Sequence, residues 1–287
     1  MHNKTFRYAY EIDLEEDTTP AKVVRLVGNN KKVLELGCGP GHMSQVLRNN
    51  FGCNIIGIEI DEEAAKVARN FCHEVVVCNL DDTDLTRLFE KNTFDVIVMA
   101  DVLEHLKEPQ HTLVQCKQLV SDDGYMVISI PNVAYAGVVA SLMMAQFPYA
   151  DLGILDRTHL RFFTGPSFRI LLQRLGYRIE KWLTHQVSVE YTEFKDTFER
   201  LPSVVKEYLL KSPDSLVYQF IVKVRPSVTH EEDPLLQELD YLTETCIKER
   251  DLWMNNNYCI DTLKKNYADM AEVSLIQRFL KIFKRSS

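Results

Sequence analysis

Val33-Leu34-Glu35-Leu36-Gly37-Cys38-Gly39-Pro40-Gly41 decides the fold of this chain, together with Glu59, twenty residues beyond Gly39. The stretch reads as an apolar strand, a glycine turn and a helix start, and Glu59 closes a second apolar strand. The glycines let backbone approach a ligand where a Cβ would clash. An acid at that later position is placed to take two ribose hydroxyls. The layout therefore reads as a site for a nucleoside-bearing ligand.

The spacing selects among such ligands. A dinucleotide site needs G-x-G-x-x-G, with a helix N-terminus facing a pyrophosphate. Here the turn is Gly37-x-Gly39-x-Gly41, and His42 stands where the third glycine would be. Glu35, two residues before the first glycine, suits a ligand carrying an ammonium group more than a pyrophosphate. These residues point to S-adenosylmethionine. Glu35, Gly37, Cys38, Gly39 and Gly41 are expected around its methionine end, Glu59 on the ribose and Ile60 on the adenine.

Outward from the turn, strands alternate with helices. Thr18-Thr19-Pro20 opens a helix that Gly28 ends. Strands are expected at 31–37, 53–60, 74–78, 94–100 and 125–131, with helices at 41–50, from Asp61, and at 82–90 and 109–120. The strands are continuous apolar runs, which marks a parallel sheet covered on both faces. Ligands of such sheets sit at the strands' carboxyl ends. After Pro131 the rhythm changes. An apolar helix is expected over 133–147, then a charged and aromatic loop over 148–164. A helix follows from Thr164 to Gly176, and two final strands lie at 177–184 and 216–224. The fold class is α/β, a doubly wound seven-stranded Rossmann-like sheet over residues 1–225. Segments at about 132–164 and 187–212 form a helical substrate cap, and 226–287 is a linker with a helical extension.

Composition narrows the function. The chain has 287 residues, 46% of them apolar and 26% charged, with net charge −8. That acidity argues against a general nucleic-acid binder, and no DNA partner is expected. Seven scattered cysteines without a C-x-x-C pair read as reduced thiols of a cytoplasmic protein rather than a disulfide framework or structural zinc site. The N-terminus shows no signal peptide, and no run approaches the roughly 18 apolar residues of a membrane span. In the tail, Trp253, Ile260 and Tyr267 recur every seven residues, as in a helical hairpin, coiled-coil seam or homodimer contact. Ile276–Arg285 is basic and amphipathic. Packing on the parent domain or a partner chain is favoured for it over contact with a membrane surface.

Residues 1–225 resemble class I S-adenosylmethionine-dependent methyltransferases. VLELGCGPG and IIGIEID are similar to that family's first two motifs, and FDVIVMADVLEHL and GYMVISIPN to its fourth- and fifth-strand motifs. A narrower resemblance, to a bacterial subgroup often associated with glycosyltransferases, rests on Tyr8–Asp13, Phe147–Tyr149, Leu155–Thr164 and Val217–Phe220. It implies glycan biosynthesis, a saccharide or small-molecule acceptor, and a glycosyltransferase contact through 227–287. The family often has an acid on the adenine where this chain has Asn79-Leu80-Asp81, so Asn79 and Asp81 compete for that role. Ala100 and Asp101 fall near the methyl end.

Asp101-Val102-Leu103-Glu104-His105 carries the chemical question. His105, just beyond the cofactor's strand, is placed to be the base that takes a hydroxyl proton, or it is a structural residue of a helix start. A third reading comes from resemblance. Small-RNA 3′-end methyltransferases and ubiquinone-pathway O-methyltransferases share the acid-x-x-Glu-His arrangement, which is associated with a divalent metal. That implies Asp101, Glu104, His105 and the later His159 as ligands of Mg, Mn or Zn. Arg157 and Arg161 suit a phosphate or carboxylate on the acceptor, or latch the loop by salt bridges. Phe147, Tyr149, Phe162 and Phe163 are placed to stack on a sugar face or to fill core. The expected activity is O-methylation of a hydroxyl on a saccharide or small metabolite. The alternatives are terminal 2′-O-methylation of RNA, and a non-catalytic partner of a glycosyltransferase.

Overall fold

In a computed structural model of the protein, the residues described are 12–227. Tyr8–Glu11 and the tail expected to be helical at 228–287 lie outside the described residues. Seven strands form one sheet in the order β3-β2-β1-β4-β5-β7-β6. The strands are β1 Lys32–Leu36, β2 Asn54–Glu59, β3 Glu74–Val77, β4 Phe94–Ala100, β5 Val120–Pro131, β6 Tyr177–Gln186 and β7 Val217–Pro226. The first five pair in parallel, and β7 runs antiparallel between β5 and β6.

Alternation along each strand sends side chains to two cores. Val33, Ile55, Val96 and Val98 pack with Val23, Val24 and Val27 of α1 (Thr19–Val27), Leu47 of α2 (His42–Phe51) and Ala65 of α3 (Glu62–Ala68). Leu34, Leu36, Ile97 and Met99 face the other way, onto Leu113 and Cys116 of α4 (Pro109–Leu119). Full burial of such side chains contributes roughly 1.5–3 kcal/mol each. A third cluster joins the two late insertions. Tyr135 and Val138, around α5 (Ala136–Met143), pack with Ile154 and Leu155, and with Val189, Phe194 and Leu209 from the segment after β6.

Two expected helices are shorter than their apolar patterns. Over 82–90 only a 3₁₀ turn forms, Leu85–Arg87. The Asp84 carboxylate accepts the amide and hydroxyl of Thr86, and such local side-chain bonds compete with helix. The helix expected over 133–147 runs only Ala136–Met143. The Asn132 side chain accepts the Ala134 amide at 3.0 Å and holds the entry as a turn. Ala145, at φ 56°, closes the exit. Between Thr164 and Gly176 the expected helix forms as α6, Gly165–Arg174, with a reciprocal Thr164–Ser167 cap. The second insertion carries α7 (Lys195–Glu199) and α8 (Ser203–Lys211).

Candidate active site

Strand order reverses between β1 and β4, which pair through Leu36 and Met99 at their carboxyl ends. The crevice above such a reversal is where open α/β sheets bind ligands. The glycine turn rises on one side of it. A Cβ on Gly37 would press within 2.8 Å of Val102, so that glycine serves the protein's own packing. A Cβ on Gly39 (φ 53°) would meet no protein atom within 4 Å. It would project into open space, which is where a ligand of the turn belongs.

Glu59, at the end of β2, faces this space. Its Oε2 accepts the Gly39 amide at 2.7 Å, and its Oε1 accepts the Ile60 and Asp61 amides, each at 2.8 Å. The carboxylate is thus fixed by backbone beside the turn, with Ile60 next to it 65% exposed. An oriented acid, an open glycine and an uncovered apolar side chain fit a nucleoside. Glu35 lies below, buried between β1 and α2, where Ser44 of α2 donates to its Oε2 at 2.5 Å. Burial pushes its carboxyl up to about 8, against the Ser44 bond. Asn79 donates to Asp82 at 2.6 Å and accepts the Asp81 amide, while Asp81 accepts the Lys107 amide at 2.9 Å. Both candidates for the adenine contact therefore also brace the loop that carries Leu80.

Across the crevice, Ala100 ends β4 and Asp101 takes φ 55°. The expected four-residue metal set is not assembled. The Asp101 carboxylate accepts Ser129 at 2.9 Å and Gln219 at 2.8 Å, and Gln219 in turn accepts the Thr19 hydroxyl at 2.7 Å. The acid is drawn toward β5 and β7 by these donors. Glu104, His105 and His159 do come together, with one ligand atom from each within 4.8 Å of the others. Glu104 is buried, and neither carboxylate oxygen has a hydrogen-bond partner. Burial, with the Asp101 charge added, holds its carboxyl well above the usual range. The two imidazoles meet edge-on, centroids 4.7 Å apart.

Both rings are oriented from behind. His159 Nδ1 lies 2.9 Å from the Ile154 carbonyl, so it is the protonated nitrogen. The Thr158 hydroxyl donates to Asp156 at 2.7 Å, so His105 Nδ1, 3.1 Å away, donates to Thr158. In each ring Nε2 then carries the lone pair, as in metal-binding histidines steadied by an outer partner. Burial, and His159 beside it, lower the His105 pKa. The loop bearing His159 is pinned here, since the Leu160 and Arg161 amides both donate to the Glu104 carbonyl, at 2.7 and 3.0 Å. Ser44, Ser129, Gln219, Asp156 and Thr158 were not singled out for these contacts in the sequence. Only the Val217–Phe220 and Leu155–Thr164 stretches signalled some of them.

The model for the family described as "Methyltransferase domain" matches residues 14–181. The chain belongs to the class I S-adenosylmethionine-dependent methyltransferases. The ubiquinone biosynthesis O-methyltransferase of Shewanella pealeana is 26% identical to the methyltransferase over 183 residues, 63% of this chain and 75% of the relative. Among solved structures, a SAM-dependent methyltransferase from Archaeoglobus fulgidus matches with TM-score 0.50 at 17% identity, covering 71% of this chain and 91% of its own. An S-adenosylmethionine-dependent methyltransferase from Mesorhizobium loti matches with the same score and identity, covering 74% and 100%. At that identity the likeness shows the fold alone.

Both expected substrate arginines, in the insertion between β5 and β6, touch protein groups yet stay exposed. Arg157 pairs with Asp151 at 2.9 Å, and Arg161 donates to the Lys107 carbonyl and lies 3.7 Å from Glu108. Phe163 is buried in the core, whereas Phe162, Phe147 and Tyr149 are exposed and meet edge-on in a row leading from His159. No described helix is long and apolar enough to cross a membrane.

Proposed function

We propose that this methyltransferase methylates a hydroxyl oxygen of a saccharide or other small metabolite, with a divalent cation held by Glu104, His105 and His159. One observation carries the reading: a buried carboxylate without a hydrogen-bond partner stands beside two imidazoles. Such a group is costly unless paired or bound to a metal, and one oxygen and two nitrogen donors suit Mg, Mn or Zn. The name O-methyltransferase in the Shewanella pealeana relative agrees with it.

S-adenosylmethionine, when bound, supplies a methyl group on a sulfonium for in-line displacement. A cation, when bound, supplies a Lewis acid that lowers the pKa of a hydroxyl. The chain supplies the rest. Glu59 orients the nucleoside end through the amides that hold it. His105, kept neutral by burial, is available as ligand or proton acceptor at Nε2. The cap supplies Phe162, Phe147 and Tyr149 as faces for the acceptor, with Arg157 and Arg161 at its margin for an anionic group. Cysteines without disulfides among the described residues suit the cytoplasm.

Manganese titrated into the full chain should give a one-site binding isotherm that Glu104→Gln removes. Chelation should abolish turnover on an accepted hydroxyl while S-adenosylmethionine still binds. Turnover indifferent to chelation overturns the metal. A panel of hydroxylated saccharides and small phenols, scored by methyl transfer, tests the acceptor class.

A further inference from the structure

A second group of reactive side chains lies beneath the glycine turn. Gly57 stands in mid-strand in β2, where glycine costs roughly 0.5–1 kcal/mol relative to alanine. The room it leaves is filled by sulfur. A Cβ at 57 would stand 2.6 Å from Cys38 Sγ and 3.3 Å from Cys72 Sγ. Both thiols are buried, and both sulfurs border the room that Gly57 leaves. Cys72 also donates to Ser44 at 3.2 Å, and Ser44 donates to Glu35. Cys38 is part of the turn itself. Its amide donates to Ile58, its carbonyl accepts the Gly41 amide, and the next residue is the Gly39 that Glu59 holds.

We propose that Cys38 and Cys72 are a peroxide-sensitive pair whose disulfide reversibly closes the cofactor turn. A disulfide needs its sulfurs about 2 Å apart, closer than two unbonded thiols can pack. Closing that gap pulls on the turn that carries Cys38, whose next residue is the Gly39 that Glu59 holds. The Cys38 thiol beside it pulls the Cys72 thiol down, with Ser44 assisting against burial, and the same pairing pushes the Cys38 thiol up. Cys72 is therefore the sulfur that reacts first. Its thiolate attacks one peroxide oxygen, the O–O bond breaks, and the sulfenic acid forms as hydroxide leaves and takes up the thiol's proton as water. The Cys38 sulfur then attacks the Cys72 sulfur. The S–O bond breaks, and a second water leaves with the Cys38 proton. Two electrons pass from the two thiols to peroxide, and a thiol reductant reverses the change.

The test uses the full chain treated with hydrogen peroxide. Peptide mapping without reductant should find Cys38 joined to Cys72 with the loss of two hydrogens. Calorimetry should show S-adenosylmethionine affinity falling by about tenfold or more, restored by dithiothreitol. By linkage, saturating cofactor should disfavour the bond by the same factor. Cys72→Ser, which leaves the turn intact, should bind cofactor normally and form no cross-link. Absence of the Cys38–Cys72 cross-link, or undiminished affinity in the cross-linked protein, overturns the proposal. An untreated chain that fails to bind S-adenosylmethionine would instead count against the assigned cofactor.

Discussion

Glu59 reaches from the end of β2 to accept the Gly39 amide at 2.7 Å, so the acid of one motif fixes the glycine turn of another. Removing it leaves three backbone amides without their acceptor beside the ligand space. Hydrogen bonds to a charged group contribute about 1.5–3 kcal/mol each. Glu59→Ala is expected to weaken S-adenosylmethionine binding by about 100-fold or more, about 2.7 kcal/mol, as read by calorimetry. Tight NAD binding to the unaltered chain would sink the assignment of the site.

The two glycines before it separate packing from binding. Gly39→Ala places its methyl where no protein atom stands within 4 Å, at φ 53°. It should cost about 1–2 kcal/mol of stability from the left-handed backbone alone, yet abolish measurable cofactor binding. Gly37→Ala meets Val102 at 2.8 Å, and should lose more stability than Gly39→Ala. Urea unfolding without cofactor, set beside calorimetry, distinguishes the two. Equal binding losses for equal stability losses would refute the division.

Glu35 makes stability depend on pH. Its folded pKa, about 8, lies above its ordinary 4.5. Between those values the folded chain holds the proton that the unfolded chain releases, so this contribution is full at low pH and fades as pH rises toward 8. Glu35→Gln mimics the protonated form. It should match the unaltered chain near pH 5 and become progressively more stable than it up to about pH 8, in denaturant melts without cofactor. A stability difference that does not change with pH would show that Glu35 is ionised when buried.

Much of this was legible in the sequence because its causes are local. Val96–Ala100 is an unbroken apolar run, and Asp61 caps α3 through the amides of Glu63 and Ala64. The glycine turn announces itself by residue type alone. What was not legible depends on distant residues. Asp101 reads as a cluster ligand until Ser129 and Gln219, 28 and 118 positions away, are seen to hold it. The helix expected at 82–90 failed because Asp84 and Asn79 spend their side chains on nearby groups, which an apolar count does not register. Glu104 and His159 meet only because the cap loop hydrogen-bonds the Glu104 carbonyl, a contact without periodicity.

The Thr19–Gln219–Asp101 chain yields the last prediction. The Thr19 hydroxyl donates to Gln219 Oε1, which fixes the amide so that Nε2 faces the half-buried Asp101 carboxylate. Gln219→Glu sets a second carboxylate against Asp101 in place of a donor and should cost about 1–3 kcal/mol, since the two like charges meet in a half-buried site. Asp101→Asn alone keeps the Gln219 bond only by turning its amide nitrogen toward Ser129, whose hydroxyl must then accept instead of donate. Combining them restores a donor opposite an acceptor, with Thr19 still donating to residue 219 and Ser129 to residue 101. The double variant should therefore be more stable than the sum of the singles by about 0.5–3 kcal/mol in denaturant unfolding. Strict additivity would mean that Gln219 and Asp101 do not share the hydrogen bond that sets the path from β4 to Glu104.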